Sequence, residues 1–272
     1  MVIKNMKTDL LGKDKQFAKR DTSYSSFWLY NKDKDLNSEH FKDSFVNYYN
    51  DKDLLSEFNL TVAKNVISYW SEQGDIILDP FAGRTRSLIS YAMNRVYIGF
   101  EVSPDVHEYL LNRYKELELT KRENFLVDVI LDDCMNVATH LQDNKVDMVF
   151  TCPPYWTLEK YQSVRGQLSD IADYEIFMDE LFNRLSKAGA HLKIGGYMCI
   201  VIGDFRHKGN YMTLQSDLIQ RMKKDTTLKL HDLIVIQNMT FANGAFYFGK
   251  RKKNKTTSKI HEHLLVYKKV LQ

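Results

Sequence analysis

The chain has 272 residues, 44% of them hydrophobic and 27% charged, a balance that is typical of a globular protein and excludes an intrinsically disordered one. It contains three cysteines and no CxxC pair, so we expect neither a disulfide-stapled secreted domain nor a zinc site. The first residues lack the apolar run of a signal peptide, and no stretch approaches the ~20 apolar residues that span a bilayer. These features predict a cytoplasmic protein without a membrane segment.

The net charge of +3 conceals an uneven distribution of charge along the chain. Residues 204–272 contain 14 lysines and arginines against 5 aspartates and glutamates, a net of +9, whereas residues 1–203 contain 24 against 30, a net of −6. A basic segment of this kind indicates either a surface that binds a polyanion or a solvated lysine-rich surface. Charge alone does not choose between the two.

Residues 1–50 are polar with interspersed aromatic side chains and show no clean periodicity. We interpret them as an N-terminal arm that packs some of its aromatics on the rest of the protein and whose role is open. Residues 51–272 form a single domain in this interpretation. It opens with a predicted helix over 54–70, where apolar residues recur at helical spacing.

After residue 70, short apolar runs alternate with helical patterns. The predicted strands cover 75–79, 96–101, 127–131, 146–151, 197–202, 228–236 and 261–267. The predicted helices cover 87–93, 104–117, 174–192 and 214–222. Alternation of this kind, with continuously apolar strands, indicates an α/β protein with a buried, mostly parallel sheet and helices on both faces. No helical pattern separates the last two strands, so they predict a C-terminal antiparallel hairpin that completes a sheet of seven strands.

Acidic residues and a glycine follow the predicted strands, at the edge where open parallel sheets bind their ligands. Asp79-Pro80-Phe81-Ala82-Gly83 leads from a strand into a tight turn, and a glycine there lets a ligand approach the backbone closely. Glu101 ends the next strand about 20 residues later, where a carboxylate binds ribose hydroxyls in nucleotide-binding folds. Asp133 follows the third strand and suits either an acceptor for an adenine amine or a helix cap.

Thr151-Cys152-Pro153-Pro154-Tyr155-Trp156 closes the fourth strand. Its two prolines end the hydrogen bonding of the strand and stiffen the turn that follows. Such a turn presents backbone carbonyls, an aromatic ring and one polar side chain at the carboxyl edge of the sheet. The combination predicts a reaction site rather than a purely structural turn.

The pair of motifs resembles the class I S-adenosylmethionine-dependent methyltransferases that modify the exocyclic amine of adenine (N6) or cytosine (N4) in DNA. Asp79-Pro-Phe-Ala-Gly83 is similar to their cofactor loop, and Thr151-Cys-Pro-Pro-Tyr-Trp156 is similar to their catalytic (Asp/Asn/Ser)-Pro-Pro-Tyr motif. The resemblance covers roughly residues 54–272. It implies a Rossmann-like seven-stranded methyltransferase sheet with a C-terminal antiparallel hairpin, S-adenosylmethionine as the cofactor, and a base flipped out of double-stranded DNA as the substrate.

The resemblance also implies roles for individual residues. The Cys152 side chain and the Pro153 carbonyl would accept hydrogen bonds from the target amine, and Tyr155 would stack on the base. Glu101 would hold the ribose of the cofactor, and Asp133 its adenine amine. The implied catalytic residues are Cys152, Pro153, Pro154 and Tyr155, and the implied cofactor-binding residues are Phe58, Asn59, Asp79, Pro80, Phe81, Gly83, Glu101 and Asp133. Neither a metal nor a covalent intermediate is required.

The sequence departs from the family pattern at two positions. Cys152 stands where the family has Asp, Asn or Ser, and a thiol accepts hydrogen bonds weakly. Thr85 stands where the cofactor loop usually has its second glycine. We expect the flanking Arg84 and Arg86 to contact DNA phosphate or to be solvated.

Basic and aromatic residues near the second motif and near the C-terminus suit contact with nucleic acid. The predicted contact residues are Trp156, Lys160, Arg165, Lys250, Arg251, Lys252, Lys253 and Lys255. The last five belong to a basic loop over 240–260, for which a solvated loop is the alternative. We interpret residues 157–169 as a mobile lid over the target base, with Gly166 as its hinge. Little chain remains for a separate recognition domain, so recognition falls to these segments, the arm, or a second copy in a homodimer.

Three other functions fit the same residues. The chain could methylate an amine of RNA or protein with the same motif. Cys152 could attack a ring carbon of cytosine, although in such enzymes the cysteine follows a proline rather than preceding two. The two departures also fit a nucleic-acid-binding protein of weak or no catalytic activity. The target sequence and the choice between adenine and cytosine are left open.

Overall fold

The computed structural model of the chain describes residues 26–30, 58–116, 127–158, 161, 163–238, 255–257 and 259–271. The strands within these residues are β1 (Phe27–Tyr30), β2 (Ile76–Asp79), β3 (Val96–Glu101), β4 (Val127–Leu131), β5 (Val146–Thr151), β6 (Leu192–Ile202), β7 (Phe205–His207), β8 (Asn210–Met212), β9 (Leu228–Asn238) and β10 (His261–Lys269). The helices are α1 (Leu60–Trp70), α2 (Arg84–Ala92), α3 (Pro104–Glu116), α4 (Val137–Leu141), α5 (Tyr174–Ala190) and α6 (Leu214–Met222), with one-turn 3₁₀ helices at Cys134–Asn136 and Leu168–Asp170.

The main sheet has the order β1-β9-β10-β6-β5-β2-β3-β4. Neighbours from β6 to β4 run parallel, and β10 is antiparallel to both β6 and β9. This confirms the predicted mostly parallel sheet and its C-terminal antiparallel hairpin, which consists of β9 and β10. One strand is additional: β1 comes from the N-terminal arm and pairs in parallel with β9.

Helices pack on both faces of the sheet because successive strand residues point to opposite sides. On β6, Met198, Ile200 and Ile202 belong to a core that also contains residues of α4, α5 and α6. Cys199 and Val201 belong to the core on the other face, which contains residues of α1, α2 and α3. Side chains also set helix starts: Asn59 Oδ1 accepts from the N–H of Val62, as an N-cap does.

The boundary between α5 and β6 differs from the prediction. We expected the helix to run to residue 192 and the strand to begin at Tyr197, whereas α5 ends at Ala190 and β6 starts two residues later. Gly195 has a φ of 85°, a left-handed conformation that glycine adopts at little cost. The pairing of β6 with β5 shifts register between Val146 and Met148. The glycines therefore form an irregularity inside a strand and do not end the helix.

A short hairpin of β7 and β8 follows β6 and was not predicted. Its turn contains Gly209 at a φ of 87°, which a glycine tolerates. Three-residue strands are too short to leave a periodic pattern in the sequence. Among the described residues, no helix combines the length and the apolar character needed to cross a membrane.

A buried indole attaches β1 to the sheet. Trp28 is 2% exposed and its ring lies 6.0 Å from that of Trp70, whereas the neighbouring Phe27 is 47% exposed. We expect Trp28→Ala to lower the free energy of unfolding by about 3–5 kcal/mol, the usual cost of emptying a buried aromatic site. Phe27→Ala, the matched control on the opposite face, should cost less than about 1 kcal/mol. Guanidinium denaturation measures both, and equal losses would contradict the expectation.

Candidate active site

The carboxyl ends of β2, β3, β4 and β5 meet at one edge of the sheet because these strands run parallel. That edge borders a cavity of about 370 Å³, a size typical of small-molecule sites. Residues of both sequence motifs lie on its wall. The predicted residues found there are Phe58, Pro80, Phe81, Gly83, Glu101, Asp133, Cys152, Pro153, Pro154 and Tyr155. The structure therefore brings together the four predicted catalytic residues and all but two of the predicted cofactor residues.

Asp79 is one of the two exceptions and does not line the cavity. Its carboxylate is fully buried. It accepts hydrogen bonds from Phe81 N (3.1 Å), Arg86 Nε (2.6 Å), Tyr97 Oη (2.8 Å) and Thr151 Oγ1 (2.7 Å). These donors come from the cofactor loop, α2, β3 and β5, so one carboxylate ties both motifs together. The predicted contact of Asp79 with the cofactor is therefore corrected. The residue supports the wall of the cavity from behind.

Asn59 is the other exception. Its side chain oxygen caps α1 at 3.0 Å from the Val62 nitrogen, which directs it to the helix and away from the cavity. The preceding Phe58 does line the cavity. Its ring stands edge-on to that of Phe150, with 5.8 Å between centroids. Of this predicted pair, one residue lies on the cavity wall and the other starts a helix.

Arg86 is buried in the site, contrary to the expectation of a solvated or phosphate-binding side chain. It is 4% exposed; its Nε pairs with Asp79, and its Nη2 donates to the Phe81 carbonyl at 2.6 Å. The guanidinium lies against Gly83, where a Cβ would collide with it, and 5.3 Å from the centroid of the Phe58 ring. Burial disfavours its charge, but neighbouring anionic groups, with Asp79 foremost, hold the pKa above its usual value.

The position at which the family pattern has its second glycine lies within α2 here, because the helix begins directly after Gly83. Arg84 and Thr85 therefore occupy the first turn of the helix, and both are buried. This overturns the expectation of a solvated Arg84 as well. Residue 85 is helical and has no need of a glycine's conformational freedom.

Glu101 ends β3 on the cavity wall. The backbone N–H of Ser103 donates to its Oε1 at 2.7 Å. Burial raises the pKa of Glu101 to about 7. The Oγ of Ser103 lies 3.4 Å from the nitrogen of Val106 in α3, so the serine supplies the helix cap. A carboxylate oriented into the cavity suits the hydroxyl donors of a ribose.

Asp133 combines the two roles that the sequence left open. Its Oδ1 accepts from the N–H of Met135 at 3.0 Å and caps the 3₁₀ turn, while the residue also lines the cavity. Its Oδ2 pairs with Arg184 of α5 at 2.6 Å. Gly166 packs onto this carboxylate at a φ of 92°, and a Cβ there would lie 2.8 Å from Oδ2. A charged pair thus closes the end of the cavity at which Asp133 lies.

The Pro-Pro turn after β5 carries a hydrogen-bonded chain. Cys152 Sγ lies 3.6 Å from Tyr155 Oη, and Tyr155 Oη donates to Glu262 Oε1 at 2.6 Å. Lys259 Nζ lies 5.7 Å from the centroid of the tyrosine ring. Burial, together with Cys152 and Glu262, raises the pKa of Tyr155 well above its usual value. The tyrosine therefore keeps its proton.

Trp156 is a core residue and the prediction that it contacts nucleic acid was wrong. It is 6% exposed, and its Nε1 donates to the carbonyl of Ile171 at 2.8 Å. Its ring lies 5.2 Å from Tyr174 and 4.7 Å from His207. A buried indole with an internal partner for its N–H cannot reach DNA.

The structure describes only some of the other residues that were predicted to contact nucleic acid. Arg165 and Lys255 are exposed. Most of the basic loop lies outside the described residues, as do Lys160, Lys250, Arg251, Lys252 and Lys253. The predicted lid contributes Tyr161, Gly166, Gln167 and Leu168 to the cavity wall, while its motion stays a prediction.

The cavity suits a cofactor that carries a nucleoside. Glu101 provides acceptors for ribose hydroxyls, and Asp133 provides one for an exocyclic amine. Phe81 contributes an apolar surface for a flat ring, and Gly83 leaves room at the backbone. Among the described residues, no group of three His, Cys, Asp or Glu side chains is arranged to hold a metal ion.

The family model N6_N4_Mtase, described as DNA methylase, matches residues 1–112 and 146–270. The chain belongs to this family. Among curated proteins, no sequence matches it. As a member of the DNA methylase family the chain is a methyltransferase, and its cofactor is S-adenosylmethionine.

Solved structures show that the methylase shares its fold with distant proteins. TrmN from Thermus thermophilus is 14% identical with a TM-score of 0.53, over 80% of this chain and 51% of that one, so the chain spans about half of TrmN. A SAM-dependent methyltransferase from Methanosarcina mazei is 12% identical with a TM-score of 0.52, over 76% and 98%. SMU.1697c from Streptococcus mutans, solved in complex with SAH, is 11% identical with a TM-score of 0.50, over 79% and 100%.

Three site residues of the methylase were not found from the sequence. Arg184 carried a usable signal, since it falls on the apolar stripe of its helix beside Leu181 and Leu185, where a charged residue needs a partner. Arg86 carried none beyond its place next to the cofactor loop. Glu262 carried none either, because only strand pairing brings it near Tyr155.

The burial of the Asp79–Arg86 pair predicts a large effect of neutralising the acid. Asp79→Asn leaves a buried guanidinium without its counter-charge, so we expect the free energy of unfolding to fall by about 3–5 kcal/mol. Asp132→Asn is the control, since Asp132 pairs with His140 near the surface and should cost about 1 kcal/mol or less. Chemical denaturation measures both. An Asp79→Asn protein as stable as the control would contradict the assigned role.

The raised pKa of Glu101 predicts that cofactor affinity increases as pH rises through about 7. Below that value the protonated carboxyl loses charge-assisted bonds, which are about twice as strong as neutral ones. We expect the Kd of S-adenosylhomocysteine to be about tenfold lower at pH 8.5 than at pH 5.5, a difference of about 1.4 kcal/mol. Calorimetry measures this, and Glu101→Gln should flatten the profile.

The stability of the unliganded methylase should respond to Glu101 with the opposite sign. Its pKa in the folded chain is about 7 against 4.5 for the free group, so the folded state binds this proton more tightly. The contribution of Glu101 to stability therefore declines as pH rises from 4.5 to about 7. Denaturation of the wild type and of Glu101→Gln across this range isolates the contribution. A difference that does not change with pH would contradict the raised pKa.

Proposed function

We propose that the chain transfers a methyl group from S-adenosylmethionine to the exocyclic amine of adenine (N6) or cytosine (N4) in double-stranded DNA, with the target base flipped out of the helix. The observation that carries the proposal is that the Cys-Pro-Pro-Tyr turn and the cofactor loop line one cavity. The Asp79 carboxylate accepts hydrogen bonds from Phe81 of the loop and from Thr151, the residue directly before the turn. A base amine at the turn would therefore lie beside a cofactor held by the loop.

The chemistry of the substrate assigns work to the turn. The amine of a nucleobase is conjugated with its ring and is a poor nucleophile. Hydrogen-bond acceptors that bind the amine protons raise the electron density on the nitrogen. We assign this role to Cys152 Sγ and the Pro153 carbonyl. S-adenosylmethionine supplies, when bound, an electrophilic methyl group on a sulfonium. The amine nitrogen held by the turn would take that methyl group, the sulfonium would leave as a neutral thioether, and the amine would lose one proton to water. Holding the amine in line with the methyl group supplies the rest of the rate enhancement.

The DNA substrate is supported by charge and by the family. The net charge of +9 over residues 204–272 favours binding to a polyanion, and affinity for DNA should therefore fall steeply with salt. Arg165 and Lys255 are exposed and available for phosphate contacts. We include the predicted contacts of Lys160, Lys250, Arg251, Lys252 and Lys253 in the proposal, with a homodimer as one source of further recognition surface.

Methyl transfer with labelled S-adenosylmethionine tests the proposal on duplex DNA, RNA and protein in parallel. We expect label in duplex DNA, recovered after digestion as N6-methyladenine or N4-methylcytosine. Cys152→Ser should retain activity because a hydroxyl is an adequate acceptor, and Cys152→Ala should lose on the order of 10- to 100-fold in kcat. Lys64→Ser, a change on α1 away from the cavity wall, is the control.

Other outcomes select other functions. Label in RNA or protein alone would overturn the DNA substrate. Ring-carbon methylation that Cys152→Ser abolishes would indicate a covalent cysteine mechanism. Binding of DNA and cofactor with no transfer to any acceptor would indicate a nucleic-acid-binding protein without catalytic activity.

A further inference from the structure

We infer that Glu262 is a positioning residue that sets the direction of the Cys152–Tyr155–Glu262 hydrogen-bond chain and so turns the Cys152 sulfur into an acceptor for the target amine. The inference rests on the proposed function and explains how a thiol serves where the family has Asp, Asn or Ser. It extends the reaction site to a strand that carries neither motif.

The direction follows from counting protons. The Tyr155 hydroxyl has one proton and two lone pairs, and an ionised carboxylate only accepts. The bond of 2.6 Å to Glu262 Oε1 therefore uses the tyrosine proton. The contact of 3.6 Å between Cys152 Sγ and Tyr155 Oη then has one remaining polarity, in which the S–H donates and the oxygen accepts.

This polarity decides what the sulfur offers to the base. A thiol whose proton faced the target amine would present a donor to a donor. With the proton directed to Tyr155, the sulfur lone pairs are available to the amine N–H. Without Glu262, the tyrosine proton is free to turn toward sulfur, and the thiol proton loses its fixed direction. The weak acceptor at position 152 therefore depends on a carboxylate two hydrogen bonds away.

The surroundings of Glu262 are built to hold this chain. Lys259 Nζ lies over the Tyr155 ring and approaches Gly203 so closely that a Cβ there would collide with it. Burial lowers the pKa of Lys259, and the nearby Glu262 and Asp204 carboxylates oppose that shift. A glycine thus makes room for a half-buried lysine beside the Tyr155 ring and the Glu262 side chain.

Steady-state methylation of duplex DNA by a set of variants tests the inference. Glu262→Ala should lower kcat on the order of 10- to 100-fold, with the Kd of S-adenosylhomocysteine unchanged. Glu262→Gln keeps an acceptor oxygen and should restore most of kcat. Asp232→Ala, which removes an exposed carboxylate from the neighbouring strand β9, should leave kcat unchanged.

A double-mutant cycle separates action through Cys152 from a general structural effect. In the Cys152→Ala background, Glu262→Ala should add no further loss, because the sulfur on which it acts is gone. Losses that multiply would overturn the inference. So would an unchanged kcat in Glu262→Ala, or a Glu262→Gln protein as impaired as Glu262→Ala.

A readout without methyl transfer keeps the inference separate from the proposed function. The rate at which iodoacetamide alkylates Cys152 at fixed pH should rise in Glu262→Ala, because the tyrosine then donates to sulfur. Peptide mass spectrometry reports this site, and the buried Cys134 and Cys199 are internal controls. An unchanged rate would overturn the inference even if DNA is methylated. If the wild type methylates no substrate while the alkylation rate still rises in Glu262→Ala, only the proposed function is refuted.

Discussion

The buried carboxylate of Asp79 is the group on which the site depends. Four donors from the cofactor loop, α2, β3 and β5 converge on its two oxygens. A buried carboxylate is stable only when hydrogen-bonded and balanced by charge, so each donor is held in place by the cost of leaving the acid unsatisfied. Thr151 directly precedes the Cys-Pro-Pro-Tyr turn. The position of that turn relative to the loop is therefore set by a polar network and not only by the sheet.

The sequence predicted the architecture correctly where the local pattern of apolar residues was enough to define an element. Strands β3, β4 and β5 are mainly apolar segments, and their observed bounds are those predicted. The pattern failed where a residue has two uses. Glycine pairs end helices in many proteins, but here Gly195 and Gly196 lie inside an irregular strand. β1 was missed because a four-residue strand leaves no period, and its pairing with β9 is known only in three dimensions.

The positions of the site residues were likewise predicted correctly in some cases and not in others. Glu101 and Asp133 were found because the end of a parallel strand has a fixed location in this fold. The orientation of a side chain is not fixed by its place in the chain. Asp79 ends a strand as Glu101 does, yet it faces inward, where Arg86 and Thr151 donate hydrogen bonds to it. Trp156 adjoins the reaction site, yet its ring turns into the core toward Tyr174.

Topology explains why a residue of the last strand reaches a site built by the earlier ones. Parallel strands bring only their carboxyl ends to the ligand edge, so each contributes residues that follow it. β10 runs in the opposite direction and pairs His263 with Ile202 at the end of β6, so it brings its beginning to the same edge. Glu262 and Lys259 therefore meet Tyr155 although 107 residues separate Glu262 from the tyrosine. The antiparallel strand of this fold supplies charge at a point where the parallel strands supply the cofactor and catalytic turns.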